Sequence, residues 1–201
     1  DEAYSNLYIA MTCDTEDESI KAAFLAFVEH VEPELKKVRF ELDKKVVKCE
    51  HVQHLDQDRF GVLLRNWSAD VDIFRDENVP LQTEDTKLGT KYAELCGSMM
   101  VEFDGEERTM PQMGVYQLEQ DRDRREASWR GVAERRLQDR DKIDDIFDNM
   151  VKIRHQIALN AGFENFMEYM FAEKHRFDYT PDDCTAFHDA IERTCMPIVL
   201  K

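Results

Sequence analysis

"RHQIALNAGFENFMEYMF", Arg154 to Phe171, holds the rule of the fold in one short stretch. Ile157 and Ala161 stand one turn apart on a helix. Asn160-Ala161-Gly162 stops that helix, with Gly162 as the left-handed cap that a residue without Cβ adopts freely. Phe163, Phe166, Met167, Met170 and Phe171 then recur at i, i+3, i+4, i+7 and i+8, the spacing of a buried helix face. A helix, a glycine stop and a second amphipathic helix describe antiparallel helical packing.

Upstream, the pattern predicts one long helix from Asp123 to Ala161. Trp129, Val132, Leu137, Ile143, Phe147, Met150 and Ile157 follow the 3.6-residue period, and Gly131 weakens it locally. Arg140 and Arg154 fall on or near this stripe. A charge there must snorkel or meet an acid, so structural ion pairs are favoured, with a substrate carboxylate as the functional alternative. Downstream, "HRFDYTPDD", His175 to Asp183, looks like chemistry but reads as a helix start. Thr180 is the N-cap, Pro181 suits the first position, and Asp182 and Asp183 favour the positive end of the dipole. Tyr179 packs over the junction, and Arg176 pairs with Asp178 across the turn.

The rest of the chain reads the same way. In "TEDESIKAAFLAFVEHV", Thr15 and Glu18 form a capping box ahead of Ile20, Ala23, Phe24, Phe27, Val28 and Val31. Pro33 begins the next helix, which carries Leu35, Val38, Leu42, Lys45 and Val46 on one side. "RFGVLLRNW" suits a short helix, and Asn78-Val79-Pro80 breaks the pattern. "TEDTKLGTKYAELCGSM" is helical, with Leu88, Tyr92, Leu95 and Cys96 on one face. "MMVEFDGEERTM", Met99 to Met110, alternates instead, and Asp104-Gly105 suits a type I′ turn. The expected fold class is all-α, mainly antiparallel helices, with one small β-hairpin near residues 99–110. It forms a single helical region over 1–201, with a subdivision at 1–97 and 98–201.

The 27 basic residues against 43 acidic ones give a net charge of −16, which makes nucleic acid a poor partner. The Arg-rich segment Glu119 to Asp141 balances seven Arg with seven acids, the mark of i,i+4 ion pairs on a solvated helix. No apolar run approaches a membrane span. Cys13, Cys49, Cys96, Cys184 and Cys195 are widely spaced and odd in number, which fits a reducing cytoplasm. The sequence opens on "DEAYSNLY" without an initiator Met, so a truncated or internal fragment is expected.

None of the six His (His30, His51, His54, His155, His175, His188) lies in HExxH, and none has Glu three residues before it. "CEHVQHLDQD" offers Cys49, His51, His54, Asp56 and Asp58, yet on a helix Cys49 and His51 diverge, so a polar junction is the better reading. Cys184, His188 and Cys195 share a face with Phe187 and Ile191, so a core stripe with a satisfied His is favoured. A Cys184–His188 nucleophile pair would lack an orienting third group and an oxyanion hole. No phosphate loop and no GxGxxG occurs. No residue of this sequence is expected to be catalytic or to hold a metal.

In order along the chain, several motifs resemble the oligoendopeptidase F family, related to thimet oligopeptidase. They are "MTCDTEDESIKAAFLAFVEHVEPELKKVRFELDKK", "VEFDGEERTMPQM", "DRDRREASW", and "RHQIALNAGFENFMEYMF" followed by "RFDYTPDDCTAFH". The resemblance implies a helical, zinc-dependent peptidase that cleaves short peptides inside a deep cleft. It places HExxH, the third zinc ligand and the assisting Tyr and His in a C-terminal half beyond "CMPIVLK", and it implies that the family's first helices are missing too. This chain is then expected to be the cleft-forming N-terminal portion, inactive alone, without zinc of its own. Apolar surfaces left bare should make it self-associate. The alternative is a free-standing helical protein-interaction module.

Overall fold

The computed structural model describes residues 2–200 and is all-α apart from one two-stranded antiparallel hairpin. Two compact units emerge, each built from two separated stretches: Asp1–Pro33 with Gln82–Ile153, and Glu34–Leu81 with Arg154–Lys201.

The first unit begins with α1 (Glu2–Cys13) and α2 (Glu18–Ala26). Met11, Phe24 and Val28 are sealed from water, with Tyr4, Leu7, Ile20 and Leu25 packed around them. The cap of α2 differs from the sequence reading. Asp17, not Thr15, accepts from the amides of Ser19 and Ile20, because a carboxylate at the helix mouth also answers the dipole. Nor does Pro33 start a fresh helix. A π-helical turn, Phe27–Val31, joins α2 to α3 (Glu32–Val47), and Pro33 lies just inside α3. Pro33 has no N–H to donate and its ring excludes the carbonyl four residues back; a wide turn ahead of it moves that carbonyl aside.

Asn78-Val79-Pro80 proves to be a beginning: α5 spans Asn78–Gly97, and a proline in the first turn loses no helical bond. The hairpin is as expected. β1 (Met100–Phe103) pairs with β2 (Glu106–Thr109), and Asp104 and Gly105 both have positive φ, 55° and 78°. Thr109 and Gln112 form a capping box on α6 (Met110–Tyr116). The expected single helix from Asp123 to Ala161 is two, α7 (Arg122–Gln138) and α8 (Arg140–Ala161). The break falls at Asp139, whose buried carboxylate takes Arg135 at 2.6 Å and Lys142 at 2.7 Å. Gly131 stays helical, because a Cβ there would come within 3.2 Å of Val101 Cγ1; glycine lets the hairpin lie on α7. Ser128, buried on the same helix, donates to the Met113 carbonyl at 3.1 Å. Trp129, Leu137 and Phe147 of the predicted stripe stand in water; Ile157 and Ala161 are buried as expected, joined by Ile146 and Ala158.

In the second unit Phe40 of α3 stacks on Phe74 at the end of α4 (Gln57–Ile73), ring centroids 4.1 Å apart. Asn78 donates to the Ile157 carbonyl and accepts from Asn160, which accepts from Gln156; Arg75 reaches the Ala161 carbonyl. These bonds satisfy the last turn of α8. Gly162, φ 93°, then stops that helix as expected. Asn165 caps α9 (Phe166–Glu173), so Phe163 precedes the helix, and Tyr169 is its buried ring, against Phe163 and Phe166. Thr180 and Asp183 form the capping box of α10 (Pro181–Thr194), with α11 (Met196–Val199) behind it.

Candidate functional site

The sequence candidates do not converge. Cys49 is exposed, His51 and His54 stand 6.3 Å apart on a short 3₁₀ connection, and Asp56 gives its carboxylate to the amides of Asp58 and Arg59 as the cap of α4. The stripe on α10 is not a core stripe: Phe187 is 64 % exposed, His188 and Cys195 face water, and only Cys184 is half-buried. Periodicity shows that this face is apolar but not what covers it. Arg140 pairs with Asp141 at 2.9 Å, as expected of a structural ion pair, and Arg154 lies over the Phe166 ring.

The expected Arg176–Asp178 pair is replaced by two others. Arg176 stacks on Phe171, while Asp178 meets Arg65. Tyr179 packs edge-on against Phe171 of α9, over the junction but not onto the N4 residue that a staple uses. Sequence reasoning missed His175. It has positive φ, 53°, just past α9, and its Nε2 lies 2.7 Å from Asp70 of α4. A partner 105 residues away leaves no local spacing to read.

A concavity of about 530 Å³ lies in the first unit, between the mouth of α2, α5 and α8. Leu88, Leu95 and Ile146 supply its apolar surface, and Glu16, Lys91 and Asp145 are among its charged residues. Its walls are fixed. Lys21 Nζ meets Glu94 Oε1 at 2.7 Å, and that carboxylate holds the Lys21 ammonium above its usual pKa. Gly97 lets α5 close on Thr15, whose Oγ1 would lie 2.8 Å from a Cβ there. No His or Cys lines the pocket, and the Ser98 hydroxyl is bonded to the Leu95 carbonyl. Its volume is that of a small-ligand cleft, and no nucleophile stands beside a base among its lining residues.

Residues 1–74 match the peptidase M3 N-terminal domain. A structure assigned as oligoendopeptidase F from Bacillus anthracis strain Ames superposes with a TM-score of 0.88 at 25 % identity, over 96 % of this chain and 35 % of that one. The chain is similar to the N-terminal part of M3 peptidases. PZ peptidase A, solved with an inhibitor, gives a TM-score of 0.90 at 30 % identity, over 96 % of this chain and 34 % of its own. A further structure assigned as oligoendopeptidase F gives 0.90 at 26 %, with the same coverage. No curated protein sequence matches. The chain thus spans about a third of the length of these M3 structures.

The likeness to M3 peptidases raises the question of zinc, which needs three or four N, O or S donors within about 2.0–2.3 Å of the ion. Among the described residues no three His, Cys, Asp or Glu side chains are placed to hold one. His175 and Asp70 partner each other, and Asp56 is committed to backbone amides. These residues do not fit a zinc ion. Among the described residues no helix is long and apolar enough to cross a membrane.

Proposed function

We propose that this chain is the helical, cleft-forming N-terminal portion of a zinc-dependent oligoendopeptidase that hydrolyses short peptides. Metal and catalytic groups come from polypeptide outside these 201 residues. The observation that carries this reading is the fold itself: 96 % of the chain superposes on M3 peptidases at TM-scores of 0.88–0.90, while covering 34–35 % of them. The pocket beside α5 has the size and mixed lining to receive part of a short peptide. Five cysteines, all free, support a cytoplasmic setting.

Incubating the purified chain with zinc and a fluorescence-quenched short peptide tests the division of labour. The expected result is no turnover above buffer. Turnover that survives repeated purification and disappears on His188→Ala contradicts it.

A further inference from the structure

The corner between α9 and α10 turns on His175. Its amide donates to the Ala172 carbonyl at 3.0 Å, and the Arg176 amide donates to the Phe171 carbonyl at 2.8 Å. Those two bonds make a Schellman stop, whose left-handed residue is usually glycine. At the end of α8 this chain does use a glycine, Gly162. At the end of α9 it uses a histidine with φ 53°, where a Cβ crowds the backbone and raises its energy. The stop alone does not call for an imidazole.

The imidazole supplies a tie that glycine lacks. Its Nε2 lies 2.7 Å from the Asp70 carboxylate on α4. Asp70 is itself unfavourably placed. Burial raises the Asp43 carboxyl of α3, Arg39 opposes this, and the Asp70 charge raises it further, so an uncharged residue at 70 would relieve Asp43. Two unfavourable choices, a left-handed histidine and a carboxylate near a buried carboxyl, serve one contact. Arg65 of α4 holds the far side of the same corner, 3.4 Å from Asp178 and 4.8 Å over the Phe177 ring. Arg176 turns away onto Phe171. All of these residues belong to the second unit. Contacts made inside the chain do not depend on what covers its outer surface, as exposure does.

We propose that the His175–Asp70 tie is a conformational lock that fixes the direction in which α10 leaves α9. Strained residues persist only where their surroundings over-determine them, and they gather at switch regions. Tied, the corner holds α10 in one direction against α4. Released, it samples others and α10 swings.

Spin labels carried on unnatural amino acids at Val62 of α4 and Asp189 of α10 leave the five cysteines untouched. Pulsed electron resonance on the 201-residue chain should give one narrow distance distribution. His175→Gly and Asp70→Ala should each widen it about twofold or more. His175→Asn, which also tolerates the left-handed region but has a shorter side chain, should match His175→Gly. Combining His175→Gly with Asp70→Ala should widen it no further, since both remove one tie. A contact that only adds stability behaves otherwise: the thermal midpoint falls and the width stays. Glycine suits this φ and alanine suits a helix interior, and thermal unfolding checks that each variant folds. A broad distribution in the parent overturns the proposal. So does an unchanged width in any folded variant, or widths that add in the double variant.

Discussion

Asp43 is the residue whose charge costs the fold most visibly. Burial pushes its carboxyl above the ordinary aspartate value, Arg39 opposes the shift, and Asp70 adds to it. The folded state therefore holds this proton to higher pH than the unfolded chain does. Stability falls as pH rises from the unfolded value of 3.8 through the raised folded one, and stays lower above it. Asp43→Asn removes that penalty. Urea titrations across pH should show the variant more stable than the parent at neutral pH, with the difference fading as the pH falls through the aspartate range, where Asp43 is neutral in both states; a less stable variant at neutral pH contradicts this. Asn78 argues the opposite case. It is 2 % exposed and satisfied at both ends of its amide, so Asn78→Ala takes the acceptor from Asn160 Nδ2 and the second donor from the Ile157 carbonyl, and should cost about 1–3 kcal/mol by chemical denaturation. A loss below a few tenths would show that water takes its place. Neither residue is legible from sequence, because their partners lie in other helices.

At the scale of elements, two helical glycines separate packing from propensity. Gly89, within α5, has open space where a Cβ would go, so Gly89→Ala should raise stability by about 0.5–1 kcal/mol. Gly131 in α7 lies under Val101 of the hairpin, so Gly131→Leu should cost about 1–3 kcal/mol by forcing the strand away. Calorimetric midpoints moving in opposite directions support this; two shifts of the same sign do not. Local rules carried most elements: Asp104-Gly105 announced the hairpin, Gly162 the stop of α8, and Thr180-Pro181 the start of α10. They failed where several residues competed for one role. Thr15, Glu18 and Asp17 all suit the mouth of α2, and only the carboxylate's reach to two amides decides. The division of α7 from α8 rests on one residue, Asp139, in a stretch whose period hardly changes. Stripes on α3 and α10 were readable as apolar, but burial depends on a neighbour, and periodicity contains none.

At the scale of the molecule, the order of motifs carried more than any single motif. Asp-rich start, Pro-led helix, hairpin, Arg-rich helix and Gly-stopped helix pair each occur widely, yet together they match one fold along 96 % of the chain. The candidate pocket was not legible, since its walls come from stretches more than a hundred residues apart. The central claim is that this helical wall works as part of a larger peptidase. Intact mass of the native polypeptide, with its zinc content and hydrolysis of a short quenched peptide, tests that most directly. From 34–35 % coverage, a species about three times the 23.7 kDa of this chain is predicted, carrying zinc at its HExxH helix and cutting short peptides. A native polypeptide of 23.7 kDa, without zinc and without peptidase activity, would contradict the account.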